Sequence, residues 1–265
     1  MTTTLPFTQV DAFAHAPFTG NPAAVIPLEH WLDDATLQGI AQENNLAETA
    51  FTVPLPHGAG ADYELRWFTP ALEVALCGHA TLASGHVLLR DGLERIRFRT
   101  RHAGDLAVWR TEQSYALDLP AWRMEPAERS DVAALFGPET PRETYWRDGG
   151  YLLVVYGDEA SIHALRPDFP TLGSLGNLLI IATAPGEKTD VVSRVFAPGA
   201  GIDEDPVTGS AHCLLTPYWA DRLGRPRFTA WQASARGGYL GCLLEGDRAI
   251  LSGQCRTVIE GQYLL

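Results

Sequence analysis

The chain has 265 residues, 46% of them apolar and 20% charged, with a formal net charge of −12. That length holds one large domain or two of ordinary size, and the composition carries no signature of disorder. An acidic surface repels phosphate backbones and anionic headgroups, so nucleic acid and membrane are set aside as partners, whereas a small anionic substrate is not, because helix ends and local donors govern its binding.

Met1 to Pro6 shows neither a basic start nor a long apolar run, and no apolar stretch reaches membrane-spanning length, so a cytoplasmic location is expected. Strand character follows at Phe7 to Phe13 and Ala23 to Ile26. Asp33 or Asp34 caps a helix that buries Leu37 and Ile40. Thr49 to Val53 reads as strand, and Tyr63, Leu65 and Trp67 alternate with Glu64, Arg66 and Phe68 at the strand period. A helical pattern runs from Gly78 to Arg90, with Gly92 as its stop. Strands are expected at Ile96 to Arg99, Leu106 to Trp109 and Tyr115 to Leu119. The proline- and charge-rich stretch Pro120 to Ser130 places a domain boundary near its start, giving domains 1–119 and 120–265, with the last strand free to return to the first. Beyond it, Ser130 caps a short helix ending at Gly137, and strands are expected at Tyr151 to Tyr156, Leu178 to Thr183, Val191 to Phe196 and Arg227 to Trp231. A helix runs from Thr208 to Leu223, stopped by Gly224. Pro54 to Gly60 and Tyr145 to Gly150 read as loops.

A weak internal repeat organises these elements. Arg66-Trp-Phe68-Thr-Pro70 leads through a loop to Gly78-His79-Ala80, which opens a helix. Arg194-Val-Phe196-Ala-Pro198 leads in the same way to Gly209-Ser210-Ala211. Two similar halves would set two helix N-termini on either side of a cleft. Their first-turn N–H groups have no intrahelical acceptor and attract negative charge, and Gly78 and Gly209 let a ligand approach the backbone. The functional reading is a cradle for a substrate carboxylate; the plainer one is two capped helix starts, with Thr208 or Ser210 as caps.

Glu48 enters an apolar strand, where desolvation raises a carboxyl pKa and suits an acid/base; a solvated loop glutamate is the alternative. His79, in a first helical turn, is expected to stay near neutral under the helix dipole. Asp205 can orient a catalytic group or simply complement a helix start, and Ser210 can bind a ligand or cap the backbone. Cys77 precedes Gly78, and a thiol there can act as a base. A two-thiol epimerase would need a second cysteine where the repeat has Thr208; Cys213 lies one turn too deep. The other cysteines, Cys213, Cys242 and Cys255, read as small buried side chains, and with no zinc spacing among the four no metal is expected. Dinucleotide, P-loop and Gly-x-Ser-x-Gly signatures are missing.

Four segments carry a resemblance: Phe18-Thr-Gly-Asn21-Pro-Ala-Ala-Val25; Asn45-Leu-Ala-Glu48-Thr-Ala-Phe51; Arg66-x-Phe68-x-Pro70-x-x-Glu73-x-x-x-Cys77-Gly78-His79-Ala80-Thr81; and Asp203-Glu-Asp205-Pro-Val-Thr208-Gly209-Ser210-Ala211. In this order they resemble the motifs of the PhzF-like family of phenazine biosynthesis. The resemblance implies the diaminopimelate-epimerase-like fold, an α+β or α/β arrangement of two pseudo-symmetric domains. Each is a sheet wrapped around a central helix, with the active site between them. It further implies a cofactor-independent isomerase whose reference reaction converts 2,3-dihydro-3-hydroxyanthranilate to a ketone. Glu48, His79 and Asp205 are then catalytic, and Asn21, Gly78, Gly209 and Ser210 bind the substrate, with no metal or organic cofactor and a homodimeric assembly. An amino-acid or hydroxy-acid epimerase on the same fold, and a non-catalytic metabolite-binding protein, are the alternatives.

Overall fold

A computed structural model describes residues 3–89 and 93–265. The chain divides into two compact units: Met1–Leu119 with Ile250–Leu265, and Pro120–Ala249. No helix among the described residues is long and apolar enough to cross a membrane.

The first unit opens with β1 (Thr4–Ala12), β2 (Asn21–Pro27), helix α1 (Asp34–Asn44) and β3 (Glu48–Pro54). It continues with β4 (Tyr63–Phe68), the short β5 (Glu73–Val74), helix α2 (Gly78–Leu88), β6 (Arg95–Thr100), β7 (Asp105–Arg110) and β8 (Tyr115–Pro120). Asp33 caps α1 by accepting the Thr36 N–H, and Asn45 closes the helix in the left-handed conformation. β2 and β3 are parallel, β3–β4 and β4–β5 antiparallel, β4–β6 parallel and β6–β7 antiparallel. β3 is buried at five consecutive positions, because both sheet faces are covered. Leu37, Ile40 and Ala41 of α1 pack on Ile26, Phe51 and Phe68. The second helix, α2, is buried on nearly every side and packs against β1, β2, β3 and β7, so it is the unit's central helix. At Gly85 it lies so close to β7 that an added Cβ would fall 2.3 Å from a methyl of Val108. The expected helix end at Arg90 and its Gly92 stop lie outside the described residues; α2 closes at Leu88.

The second unit repeats this wiring. Its strands are β9 (Glu125–Pro126), β10 (Glu143–Arg147), β11 (Tyr151–Val155), β12 (Leu179–Pro185), β13 (Val191–Ala197), β14 (Ile202–Asp205), β15 (Arg227–Gln232) and β16 (Gly238–Glu245); β17 (Arg248–Gly253) begins in this unit and ends in the first. Its helices are α3 (Ser130–Ala133), α4 (Glu159–Ala164), α5 (Phe169–Ser174) and α6 (Gly209–Leu223). β11–β12 is parallel, β12–β13 and β13–β14 antiparallel, β13–β15 parallel and β15–β16 antiparallel, the same series as in the first unit. The buried helix α6 takes the place of α2, and Gly224 ends it in the left-handed conformation. Ile162 of α4 and Leu172 of α5 join Leu152, Ile180 and Phe196 in the core on the other side of the sheet. The final strand, β18 (Cys255–Leu264), pairs antiparallel with β1.

Several details correct the sequence reading. Arg66, which strand alternation alone sets beside Glu64 and Phe68, is buried, because partners surround its guanidinium. Ser130 is the first residue of α3 and not its cap. Tyr145 to Arg147 belong to β10, which its mixed polar and aromatic composition hid. Cys255 is half-buried, whereas Cys77, Cys213 and Cys242 are buried. The two helices were expected to match within one residue; as described they have 11 and 15.

Candidate active site

In the first unit the sequence brings four distant side chains to one buried point. Glu48 is the first residue of β3, hydrogen-bonded in register beside Ala23 of β2. Cys77 stands at the N-cap of α2 and His79 in its first turn. Cys77 offers no side-chain cap, so the helix start is left without a competing group from its own chain. Asn21 opens β2 after a turn pinned by Thr19, whose hydroxyl accepts the backbone N–H groups of His15 and Ala16. Gly20 in that turn has φ +76°, and a Cβ there would lie 2.4 Å from the Ala12 carbonyl oxygen, so no larger residue fits.

His79 is the centre of the group. Its Nε2 lies 3.1 Å from Glu48 Oε2, in an ion-pair contact of two side chains that are only 3% and 12% exposed. Its Nδ1 meets Asn21 Nδ2 at 3.1 Å and Cys77 Sγ at 3.5 Å. Burial pulls the His79 pKa down, but the anionic forms of Cys77 and Glu48 outweigh it, and the net direction is upward. Burial, reinforced by the Glu48 charge, pushes the Cys77 thiol up to about 11. Cys77 on one side of the ring and Glu48 on the other are the two groups that set this direction. The upward direction runs against the expectation of an imidazole held near neutral by the helix dipole, because Cys77 and Glu48 both contact the ring. The raised thiol pKa argues against Cys77 as a base.

Glu48, Cys77 and His79 also place an oxygen, a sulfur and a nitrogen within 4.8 Å of one another, a donor set that zinc accepts. Their directions do not converge, however. The carboxylate faces one ring nitrogen and the thiol the other, and a cation can take only one of them.

In the second unit the matching helix start is built differently. Asp205 ends β14 and Thr208 is the N-cap of α6, with no side-chain cap of the helix. The Thr208 hydroxyl donates instead to Asp205 Oδ2 at 2.5 Å, so of the two caps that the plainer reading offered, Thr208 does not serve through its side chain. Gln232, fully buried, braces this corner. Its Oε1 accepts the Thr208 N–H at 2.8 Å, and its Nε2 donates to the Asp205 carbonyl at 2.8 Å. Ser234 donates to the Pro206 carbonyl at 2.8 Å. Neither Gln232 nor Ser234 was picked out by sequence reasoning, since nothing in a strand-end glutamine announces a partner 24 residues earlier. Gly209 is buried and Ser210 half-buried at the first turn.

Each unit also carries an arginine clamp. Arg66 grips Glu73 through two hydrogen bonds of 2.7 and 2.8 Å and lies 4.9 Å over the Phe68 ring. Arg194 grips Glu204 at 2.7 and 2.9 Å and lies 5.1 Å over Phe196. In both units the clamped glutamate stands four residues before the helix N-cap, Cys77 or Thr208.

The family model described as phenazine biosynthesis-like protein, PhzC-PhzF, matches residues 10–261. The chain belongs to this family. An uncharacterized isomerase of Pseudomonas aeruginosa is 49% identical over 256 residues, covering 96% of each chain. Among solved structures, a phenazine biosynthesis protein of the PhzF family from Enterococcus faecalis matches with a TM-score of 0.90 and 42% identity, covering 99% of this chain and 100% of the other. A hydroxyproline epimerase from Agrobacterium vitis shares the fold at a TM-score of 0.65 and 13% identity, covering 99% and 93%. The family and the fold class are those that the four motifs implied.

Proposed function

We propose that this protein is an isomerase that moves a proton within a small, cyclic, carboxylate-bearing substrate, with Glu48 taking and returning it. One observation carries the reading: the two halves share their strand pairing, but only the first holds acid/base chemistry of this kind. Aligning Phe68 with Phe196 sets Thr49 beside Ile180 through the registers Thr49↔Phe68 and Ile180↔Phe196. Glu48 then corresponds to Leu179, His79 to Ser210 and Cys77 to Thr208. An epimerase inverts its centre with two bases, and here the second half offers none in those places. Asp205 stands where the first half has Val74, and its Oδ2 is engaged by Thr208. The names of relatives as isomerases point the same way.

In this reading a C–H bond of the substrate breaks, the proton goes to Glu48, and the electron pair moves along the conjugated system. A new C–H bond then forms at a second carbon on the same face with the returned proton, and tautomerisation follows. No oxidant or reductant is consumed. His79 steadies Oε2, leaving Oε1 to handle the proton. The uncapped N-terminus of α2 at Gly78 suits a substrate carboxylate. Gly209 and Ser210 remain proposed as substrate-binding groups and Asp205 as an assisting catalytic group on the motif, and 2,3-dihydro-3-hydroxyanthranilate is the first substrate to try. Glu48→Gln should lower kcat by about 10² to 10⁴, while Cys77→Ser should retain most of it. Loss of activity in Cys77→Ser with Glu48→Gln still active would instead make the thiol the base.

A further inference from the structure

The family resemblance placed Asn21 among the substrate-binding residues, and its surroundings point elsewhere. The side chain is fully buried, and its amide lies 3.1 Å from His79 Nδ1, the nitrogen turned away from Glu48. It is delivered by a turn that Gly20 and Thr19 make rigid, and its backbone is held in register opposite Ala12 of β1. The second half supplies a comparison. The registers Ala24↔Thr49 and Leu152↔Ile180 make Gly149 the counterpart of Asn21, just as Ser210 is the counterpart of His79. Where the imidazole is gone, the amide is gone too.

Resting on the proposed role of Glu48, we infer that Asn21 is a positioning residue: it holds the His79 ring by Nδ1 so that Nε2 stays on Glu48 Oε2. A primary amide is suited to this because it carries both a donor and an acceptor, so it can serve Nδ1 whether or not that nitrogen is protonated. The same logic applies wherever a group behind a catalytic imidazole fixes its tautomer and orientation. Asn21 acts through His79 and does not touch the substrate.

The test uses the full chain labelled with ¹⁵N-histidine, read by two-bond ¹H–¹⁵N correlation, with the His79 signals assigned by their loss in His79→Gln. Kinetics with 2,3-dihydro-3-hydroxyanthranilate run in parallel. In Asn21→Ala the His79 Nδ1 resonance should shift, and kcat should fall about 10- to 100-fold, as misplacement of a reacting group does, with KM changed less than about twofold. Asn21→Asp, nearly isosteric and so the variant to use if the alanine protein does not fold, should drive Nδ1 to the protonated signature, since a carboxylate only accepts. An unmoved His79 signal in the folded variants, or a raised KM at unchanged kcat, would overturn the inference. If the wild-type protein does not turn over this probe, the substrate assignment fails separately, and the His79 resonances alone decide about Asn21.

Discussion

Two buried histidines in this chain sit in opposite electrical surroundings. His79 has the Glu48 carboxylate at 3.1 Å, and its pKa moves up despite burial. His212, fully buried in α6, has no such partner: burial pulls it down to about 4, and the Thr208 carbonyl, 2.8 Å from Nδ1, opposes this only in part. The consequences for stability have opposite signs. An unfolded histidine binds its proton near pH 6.5, whereas folded His212 does so only near 4. Between those values the unfolded chain holds more protons, so acidification favours unfolding, by about 3 kcal/mol once pH falls below 4. His79 works the other way, its contribution being present in acid and fading as pH rises through its folded value. Urea titrations of wild type and His212→Gln at pH 7 and pH 4.5 measure this; the variant should lose much of the acid sensitivity, and an unchanged pH dependence would refute the assignment. At this scale the sequence was only partly legible. Glu48, His79 and Cys77 could be singled out from motif and position, but the direction of the His79 shift depends on Cys77 together with a carboxylate 31 residues away, which helix position alone could not supply.

Among the elements, the paired arginine clamps are the feature that most closely links the repeat to the helix starts. Arg66 is 3% exposed and shared by Glu73 and Asp34, and Arg194 by Glu204 and two carbonyls of the α4 region. Removing either cation takes two charge-assisted hydrogen bonds from a partly exposed carboxylate, and Glu73 keeps Arg101 as a partner, so the cost is about 1.5–3 kcal/mol. Arg66→Met and Arg194→Met should therefore each destabilise by that order. Arg99→Met, which breaks an exposed pair with Asp105, should cost under about 1 kcal/mol. Equal midpoints for all three in denaturant unfolding would show the clamps to be incidental. The motif Arg-x-Phe-x-Pro was visible in both halves of the sequence, but its meaning was not. A strand-period pattern sets Arg66 on one face with Glu64 and Phe68, and only tertiary partners explain why its charged side chain goes inside.

For the whole molecule, the repeat is expressed as the same series of parallel and antiparallel pairings in both units. The central helices α2 and α6 could be read from glycine-opened apolar runs because each is buried almost all round. β16, β17 and the short helices α4 and α5 went unread, and β18 was foreseen only as a last strand without bounds, since an exposed strand and six-residue helices carry little hydrophobic periodicity. Divergence between the halves accounts for the proposed chemistry. One half keeps Asn21, Glu48, Cys77 and His79 together, while the other places Gly149, Leu179, Thr208 and Ser210 at the matching positions. A fold shared with a hydroxyproline epimerase thus holds, among the described residues, the Glu48–His79 contact in the first unit and other side chains at the matching positions of the second.

The measurement that tests this most directly is incubation of the protein with 2,3-dihydro-3-hydroxyanthranilate in D2O, followed by mass spectrometry and absorbance, with Glu48→Gln alongside. The account predicts isomerised product from wild type only, with little solvent deuterium, because one carboxylate carries the same proton from carbon to carbon. Product formed equally by Glu48→Gln would contradict it, and so would recovered substrate that exchanged its proton and inverted without isomerising, the behaviour of a two-base epimerase.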